Sequence, residues 1–317
     1  MNHPTYILFL GLSVLLLVLS MLGVDMGSPS FQLGGLALIA ILGIPHGALD
    51  HVIAGHHRTY RPVVFFIAYL IIMGLVMAVW LLLPTMGLFL LLLSSAYHFG
   101  QSQFSDVHFT SRIQGTVQYL SWGIALLSGL IYLRSEELTG LLISFEDTLV
   151  LQSWLAPGLH GTLAVIALAI AMGSMFFSTL RKELSITRFL KECAIVVLLI
   201  LDFSFLPIIA AFGLYFCILH SYRVMTEEFS SLKDSGLVKT RGDFVRICAP
   251  LTLVSLIAIA VVWWSSAQGW LPLSPLMLVF VLTSVITLPH GMSMEYFYSL
   301  RSAKSPSMEG PQDFLGT

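Results

Sequence analysis

Apolar stretches of roughly twenty residues, the length an α-helix needs to cross the hydrocarbon core of a bilayer, recur along the whole chain. They lie near 5–24, 31–54, 62–83, 86–105, 113–133, 158–180, 189–205, 207–227, 247–267 and 272–298, separated by short polar or turn-forming segments. The pattern predicts an all-α fold, a polytopic transmembrane helix bundle of about ten spans. The seventh and eighth spans share one apolar run from Lys191 to Met225, and its interruption at Asp202 and Pro207 predicts a tight turn between two helices. The first stretch is longer than a signal-peptide core and lacks a basic leader, so it is expected to be retained as a span. Residues 134–157 form the longest connection. It is acidic, with Glu136, Glu137, Glu146 and Asp147, and suits a short amphipathic helix. One membrane domain over 1–301 is expected, followed by a polar cytoplasmic tail, 302–317, whose Pro306 and Pro311 predict disorder.

Charge placement supports the same topology. Of the 15 Lys and Arg residues, all except Arg134 follow even-numbered spans or lie in the tail, among them Arg58, Arg61, Arg112, Arg181, Arg188, Arg223, Arg241 and Arg301. Cytoplasmic loops concentrate basic residues, so both termini are expected on the cytoplasmic side of a cell (inner) membrane. Composition agrees: 57% of residues are hydrophobic, 10% are charged and the mean hydropathy is +0.90, whereas soluble domains carry about 25% charged residues. No basic patch with interleaved aromatics occurs, which argues against nucleic acid as a partner. Cys193, Cys217 and Cys248 are scattered through apolar segments and are expected as buried free thiols.

The polar residues inside the spans carry the chemistry, because an ionisable group in lipid is costly unless it is partnered or functional. Gly43-Ile44-Pro45-His46-Gly47-Ala48-Leu49-Asp50-His51 places two imidazoles and a carboxylate in the second span. Tyr97-His98-Phe99-Gly100-Gln101 lies in the fourth, Leu219-His220-Ser221-Tyr222-Arg223 in the eighth and Leu288-Pro289-His290-Gly291 in the tenth. These four spans all run from outside to cytoplasm. His46, His98, His220 and His290 each lie about 12 to 18 residues into a helix rising about 1.5 Å per residue, so they share a depth and can converge.

Four imidazoles with no thiolate suit a metal such as iron rather than a structural zinc of the cysteine type. Asp50, four residues after His46, and Gln101, three after His98, are candidates to orient a ligand's second nitrogen. His51 lies about 140° around the helix from His46 and is expected at the bundle wall or pocket mouth. Tyr97, Phe99, Tyr222 and Tyr296 are candidates to line a channel for a flat polyene. His3, His56, His57, His108 and His160 are expected to be solvated or interfacial. Two other classes use the same residues: a haem protein with paired axial histidines, and a transporter or proton relay built on the histidines and Asp50.

At these residues the chain resembles the Brp/Blh family of bacterial and archaeal membrane β-carotene dioxygenases. The carriers are the 43–51 stretch, Tyr97-His98-Phe99-Gly100, Leu219-His220-Ser221 with Arg223, and Leu288-Pro289-His290. The resemblance implies a helical membrane enzyme that holds non-haem Fe(II) through histidines. It implies that O2 is added across the central double bond of β-carotene, giving two molecules of retinal for hand-over to a rhodopsin. It also implies a lipophilic carotenoid that reaches the site from the surrounding membrane lipid. The chain departs from the family pattern at Val224, where a second histidine is expected four residues after His220, and in the final motif Pro289-His290-Gly291-Met292, where a larger apolar residue is expected after the histidine. If that second histidine is an iron ligand in relatives, this chain either coordinates through His290 or His51 instead or does not bind iron as they do.

Overall fold

The computed structural model describes residues 4–57 and 62–304. Its elements are α1 (Pro4–Met21), α2 (Pro29–Gly47), α3 (Asp50–His57), α4 (Pro62–Leu82), α5 (Pro84–Gln103), α6 (Arg112–Leu133), α7 (Ser135–Ile143), a 3₁₀ segment (Glu146–Leu155), α8 (Pro157–Leu180), α9 (Ile186–Phe205), α10 (Ile208–Leu214), a π-helical segment (Tyr215–Tyr222), α11 (Arg223–Asp234), α12 (Arg241–Ala267) and α13 (Pro275–Lys304). No strand occurs among the described residues. The protein is thus an all-α multi-pass membrane bundle, as the hydropathy pattern predicts. In lipid every backbone N–H and C=O must be paired internally, and helices achieve this.

The helix starts follow local chemistry. Pro29, Pro84 and Pro157 occupy the first turns of α2, α5 and α8, where a missing N–H costs nothing. Ser111 and Ser185 cap α6 and α9 by accepting from the backbone N–H of Gln114 and Arg188, and Thr240 with Asp243 forms a capping box on α12. α9 ends at Phe205 and α10 begins at Ile208, so the turn expected at Asp202 and Pro207 is present. The acidic 134–157 connection folds as α7 and the 3₁₀ segment.

Among the described residues, eight helices are long and apolar enough to cross a membrane by length and composition, two fewer than the pattern suggested. The two that fall short are α5 and α9. The second half of α5 is polar, Ser94-Ser95-Ala96-Tyr97-His98-Phe99-Gly100-Gln101-Ser102-Gln103, and α9 carries Arg188, Lys191, Glu192 and Asp202. In both, polar side chains face protein: Ser95, His98, Gln101, Ser102, Gln103, Glu192 and Asp202 are buried. α12, in contrast, buries only Cys248 and Ser266 and turns its apolar surface outward.

Small residues let the site-bearing helix α5 sit close against α6. A Cβ at Gly100 would overlap the Tyr119 carbonyl, and one at Gly123 would overlap that of Ala96. Polar ties fix the other helices. Ser13 on α1 donates to the buried Asp202 carboxylate on α9 (2.6 and 2.7 Å). Beyond the end of α5, Asp106 pairs with Arg188 (3.1 Å) and Arg223 (2.9 Å). Arg188 also pairs with Glu192, and Arg223 with Glu227. Burial raises the Asp106 pKa, but the two guanidiniums outweigh it and hold the carboxyl below the usual carboxylate value.

One further expectation changes. His160 is neither solvated nor interfacial: it is buried at the start of α8, bonded through Nδ1 to Ser128 Oγ (3.1 Å) and through Nε2 to the Trp154 carbonyl (2.9 Å). α13 continues to Lys304, past residue 302. Residues 305–317, His3, Arg58 and Arg61 lie outside the described residues. Cys217 and Cys248 are buried free thiols, as expected, and Cys193 is free and half-buried.

Candidate metal centre

Each of the four histidines reaches the interior from a different helix. Pro45 lies inside α2, which stops at Gly47. The chain turns through Ala48, whose N–H bonds to the Pro45 carbonyl (3.2 Å), and restarts as α3 at Asp50. His46 therefore sits in the last turn of α2. His98 belongs to the polar half of α5, and His290 follows Pro289 in α13. His220 lies in the π-helical segment, a wide-turn geometry that recurs at functional sites.

The four rings meet. His46 faces His290 at 4.6 Å between centroids and His220 at 5.1 Å, while His98 lies 4.8 Å from both His220 and His290. Interplanar angles of 82° to 90° turn each ring edge-on to its neighbours. All four side chains are buried, none more than 6% exposed. Ligand atoms of His46, His98 and His290 lie within 4.8 Å of one another. His220 is outside that three-residue group and joins it through ring contacts with His46 and His98.

The hydrogen bonds set which nitrogens are free. His290 Nδ1 donates to Asp50 (3.0 and 3.2 Å), and Asp50 also accepts from Tyr69 on α4 (3.2 Å). Ser102 donates its single hydroxyl proton to the Phe99 carbonyl (2.9 Å), so its contact with His220 Nδ1 (2.9 Å) is one it accepts. Both imidazoles are thereby held with the proton on Nδ1 and the lone pair on Nε2. His46 Nδ1, both ring nitrogens of His98, and His290 Nε2 are buried with no hydrogen-bond partner. An orphaned buried polar atom costs about 1–3 kcal/mol. A cation among them would satisfy several at once, so the residues present fit a metal held by imidazoles, with Asp50 and Ser102 setting tautomers. Between rings this close there is room for an ion but not for a flat macrocycle, which disfavours haem here.

The other site candidates distribute as follows. Asp50 is at the site, but it orients His290 rather than His46, because the break at Ala48–Leu49 turns it away from its own helix face. Gln101 does not bond His98; its Nε2 donates to Glu295 on α13 (2.5 Å), and Tyr97 OH donates to the same oxygen (2.8 Å). The Phe99 ring lies against His220 at 4.8 Å and, with Phe216 stacked on the same imidazole at 5.4 Å, forms an apolar wall. A Cβ at Gly43 would meet Phe216, so the glycine makes room for that ring. Tyr222 is 36% exposed, at the end of the π segment. Tyr296 is half-buried on α13, six residues beyond His290. His51 packs its ring on Phe66 of α4 (5.6 Å), outside the four-ring group. Val224 is fully buried in an apolar cluster with Leu49, Met294 and Phe297.

Sequence reasoning missed Tyr69, Ser102 and Glu295. Glu295 carried a signal, an acidic residue within an apolar span. Ser102 and Tyr69 carried none, since they matter only through contacts with other helices.

Comparison with known proteins gives a consistent result. The family model described as β-carotene 15,15′-dioxygenase matches residues 37–298. A protein of Halobacterium salinarum named probable β-carotene 15,15′-dioxygenase Blh is 26% identical over 297 residues, 83% of either chain. One from an uncultured marine bacterium, named β-carotene 15,15′-dioxygenase, is 23% identical over 283 residues, 85% of this chain and 94% of its own. No solved structure matches.

Proposed function

Since the chain belongs to the β-carotene 15,15′-dioxygenase family, whose model spans all four histidine-bearing segments, we propose that it cleaves β-carotene, or a closely related carotenoid, at the central double bond with O2 to give retinal. His46, His98, His220 and His290 hold Fe(II) in this reading. The observation that carries it is the convergence of four buried imidazoles, among which His46 Nδ1, both nitrogens of His98 and His290 Nε2 have no hydrogen-bond partner. The iron supplies O2 binding and activation beside the alkene.

The chain's own groups do the rest. Asp50 accepts a hydrogen bond from Nδ1 of His290, and Ser102 one from Nδ1 of His220, which keeps the opposite nitrogens available as ligands. Phe99 and Phe216 pack on His220 and keep that side of the site apolar. Tyr97, Tyr222 and Tyr296, with Phe99, are assigned to the polyene. A hydrocarbon dissolved in the bilayer can enter between helices, so no aqueous channel is needed. The reading includes a cell (inner) membrane with both termini cytoplasmic, which the basic loops support, and hand-over of the retinal to a rhodopsin.

The test is expression in cells that make β-carotene. Loss of colour with accumulation of retinal is expected, together with about one iron per purified chain. Colour retained in the presence of folded, iron-loaded protein would overturn the substrate assignment.

A further inference from the structure

His98 is the one ring of the four with neither nitrogen satisfied. If one nitrogen ligates a metal, the other keeps its proton, and a buried N–H needs an acceptor. His290 has Asp50 and His220 has Ser102; among the described residues no acceptor is bonded to His98. One turn along α5, Gln101 is 3% exposed and its Oε1 is buried without a partner. Side chains on a helix lean back over the preceding turn, so Gln101 leans toward His98. Its amide orientation is not free. A carboxylate only accepts, and Glu295 takes the Gln101 Nε2 donor and the Tyr97 hydroxyl on one oxygen, Oε2.

We propose that Glu295 is a positioning residue for the metal centre. By holding the NH2 of Gln101 it leaves the Gln101 carbonyl oxygen on the His98 side. There the oxygen accepts, directly or through a water molecule, the N–H that His98 keeps when its other nitrogen binds the metal. Tyr97 completes the clamp by occupying the same carboxylate from α5. The polar chain thus runs Glu295, Gln101, His98, and it is the counterpart on α13 and α5 of the Asp50–His290 pair. This clamp rests on the imidazoles holding a metal.

The chemistry makes a specific exchange informative. In Glu295→Gln the new amide can donate to Gln101 Oε1, which releases the Gln101 amide to turn its NH2 toward His98, setting donor against donor. In Gln101→Glu/Glu295→Gln the carboxylate is at position 101, where both oxygens accept, and the amide at 295 supplies the donor.

Titration of the metal-free full-length protein in detergent with Co(II), followed by the visible bands of the bound ion and by competition with a chelator, reads this directly. The single Glu295→Gln variant is expected to bind Co(II) about 10–100-fold more weakly, the usual effect of removing an outer partner of a metal ligand, and the exchanged pair is expected to recover most of that loss. Gln101→Leu should weaken Co(II) as much as Glu295→Gln, and adding Glu295→Gln to it should change nothing further, a comparison that holds even if the exchanged pair fails to fold. Wild-type affinity in Glu295→Gln, or additive losses when Glu295→Gln is combined with Gln101→Leu, would overturn the clamp while leaving the metal site in place. Wild-type protein that takes up no Co(II) would overturn both.

Discussion

Replacing Asp50 by Ala removes the only acceptor bonded to His290 Nδ1 among the described residues. Both side chains are buried, Asp50 at 2% and His290 at 3% exposure, and the bond lengths of 3.0 and 3.2 Å are those of a hydrogen bond to a carboxylate. In the variant the Nδ1–H loses its carboxylate at a buried position, and a donor stranded there costs about 1–3 kcal/mol. The ring can escape that cost by moving its proton to Nε2, the nitrogen otherwise free to ligate. Either outcome weakens the metal. A loss of about 10–100-fold in Fe(II) affinity follows, about 1.4–2.7 kcal/mol at 1.36 kcal/mol per decade. Asp50→Asn keeps a carbonyl acceptor and should lose less. Tyr69→Phe removes a single bond to Asp50 (3.2 Å) and should cost about 0.5–1.5 kcal/mol of stability with little loss of metal. Anaerobic Fe(II) titration against a chromophoric chelator measures the affinities, and thermal melting of the metal-free proteins separates binding from folding. Unchanged Fe(II) affinity in Asp50→Ala, with the fold intact, would refute the assignment of Asp50 to His290 as a ligand.

Other consequences follow from packing and charge. Gly100→Ala drives a methyl into the Tyr119 carbonyl and should destabilise the bundle by about 1–3 kcal/mol or more, whereas Gly129→Ala, with open space around it, should be neutral by thermal melting. Val224→His, which puts a histidine where the sequence reading expects one, forces a larger polar ring into a fully buried apolar site; lower stability and unchanged metal stoichiometry are expected by melting and metal analysis. The Asp106 carboxyl is held below its unfolded value of about 3.9 by Arg188 and Arg223, so its contribution to stability is present above that pH and is lost as pH falls through the lower folded value. Melting temperature should therefore drop on acidification below about pH 4, and Asp106→Asn should flatten that part of the profile.

The sequence exposes the rods and the depth of the histidines because both are one-dimensional properties. Hydropathy counts residues against bilayer thickness, and equal distance along similarly directed spans puts His46, His98, His220 and His290 at one level. What it hides is rotation and partner choice. The i+4 spacing of His46 and Asp50 suggested one pair on one helix, yet the stop at Gly47 redirects Asp50 to His290 on α13. The i+3 spacing of His98 and Gln101 does describe a shared face, but the bond that fixes Gln101 goes to Glu295, 194 positions away. The π-helical turn around His220 shifts the register between His220 and Val224, so spacing drawn from a regular helix does not carry across it. His160 looked interfacial because it lies near a span end, and it is buried because Ser128 on α6 and the end of the 3₁₀ segment close over it. Even the span count depends on context, since α5 and α9 are too polar to pass as lipid-exposed rods and are placed by burying that polarity against protein.

Metal analysis of the anaerobically purified protein and of the four single variants His46→Ala, His98→Ala, His220→Ala and His290→Ala tests the convergence of the imidazoles most directly. The structure predicts about one iron per wild-type chain and a marked loss in each variant, with the fold retained in thermal melts. Wild-type protein without iron, or variants that keep a full complement of it, would contradict a metal held by these four side chains.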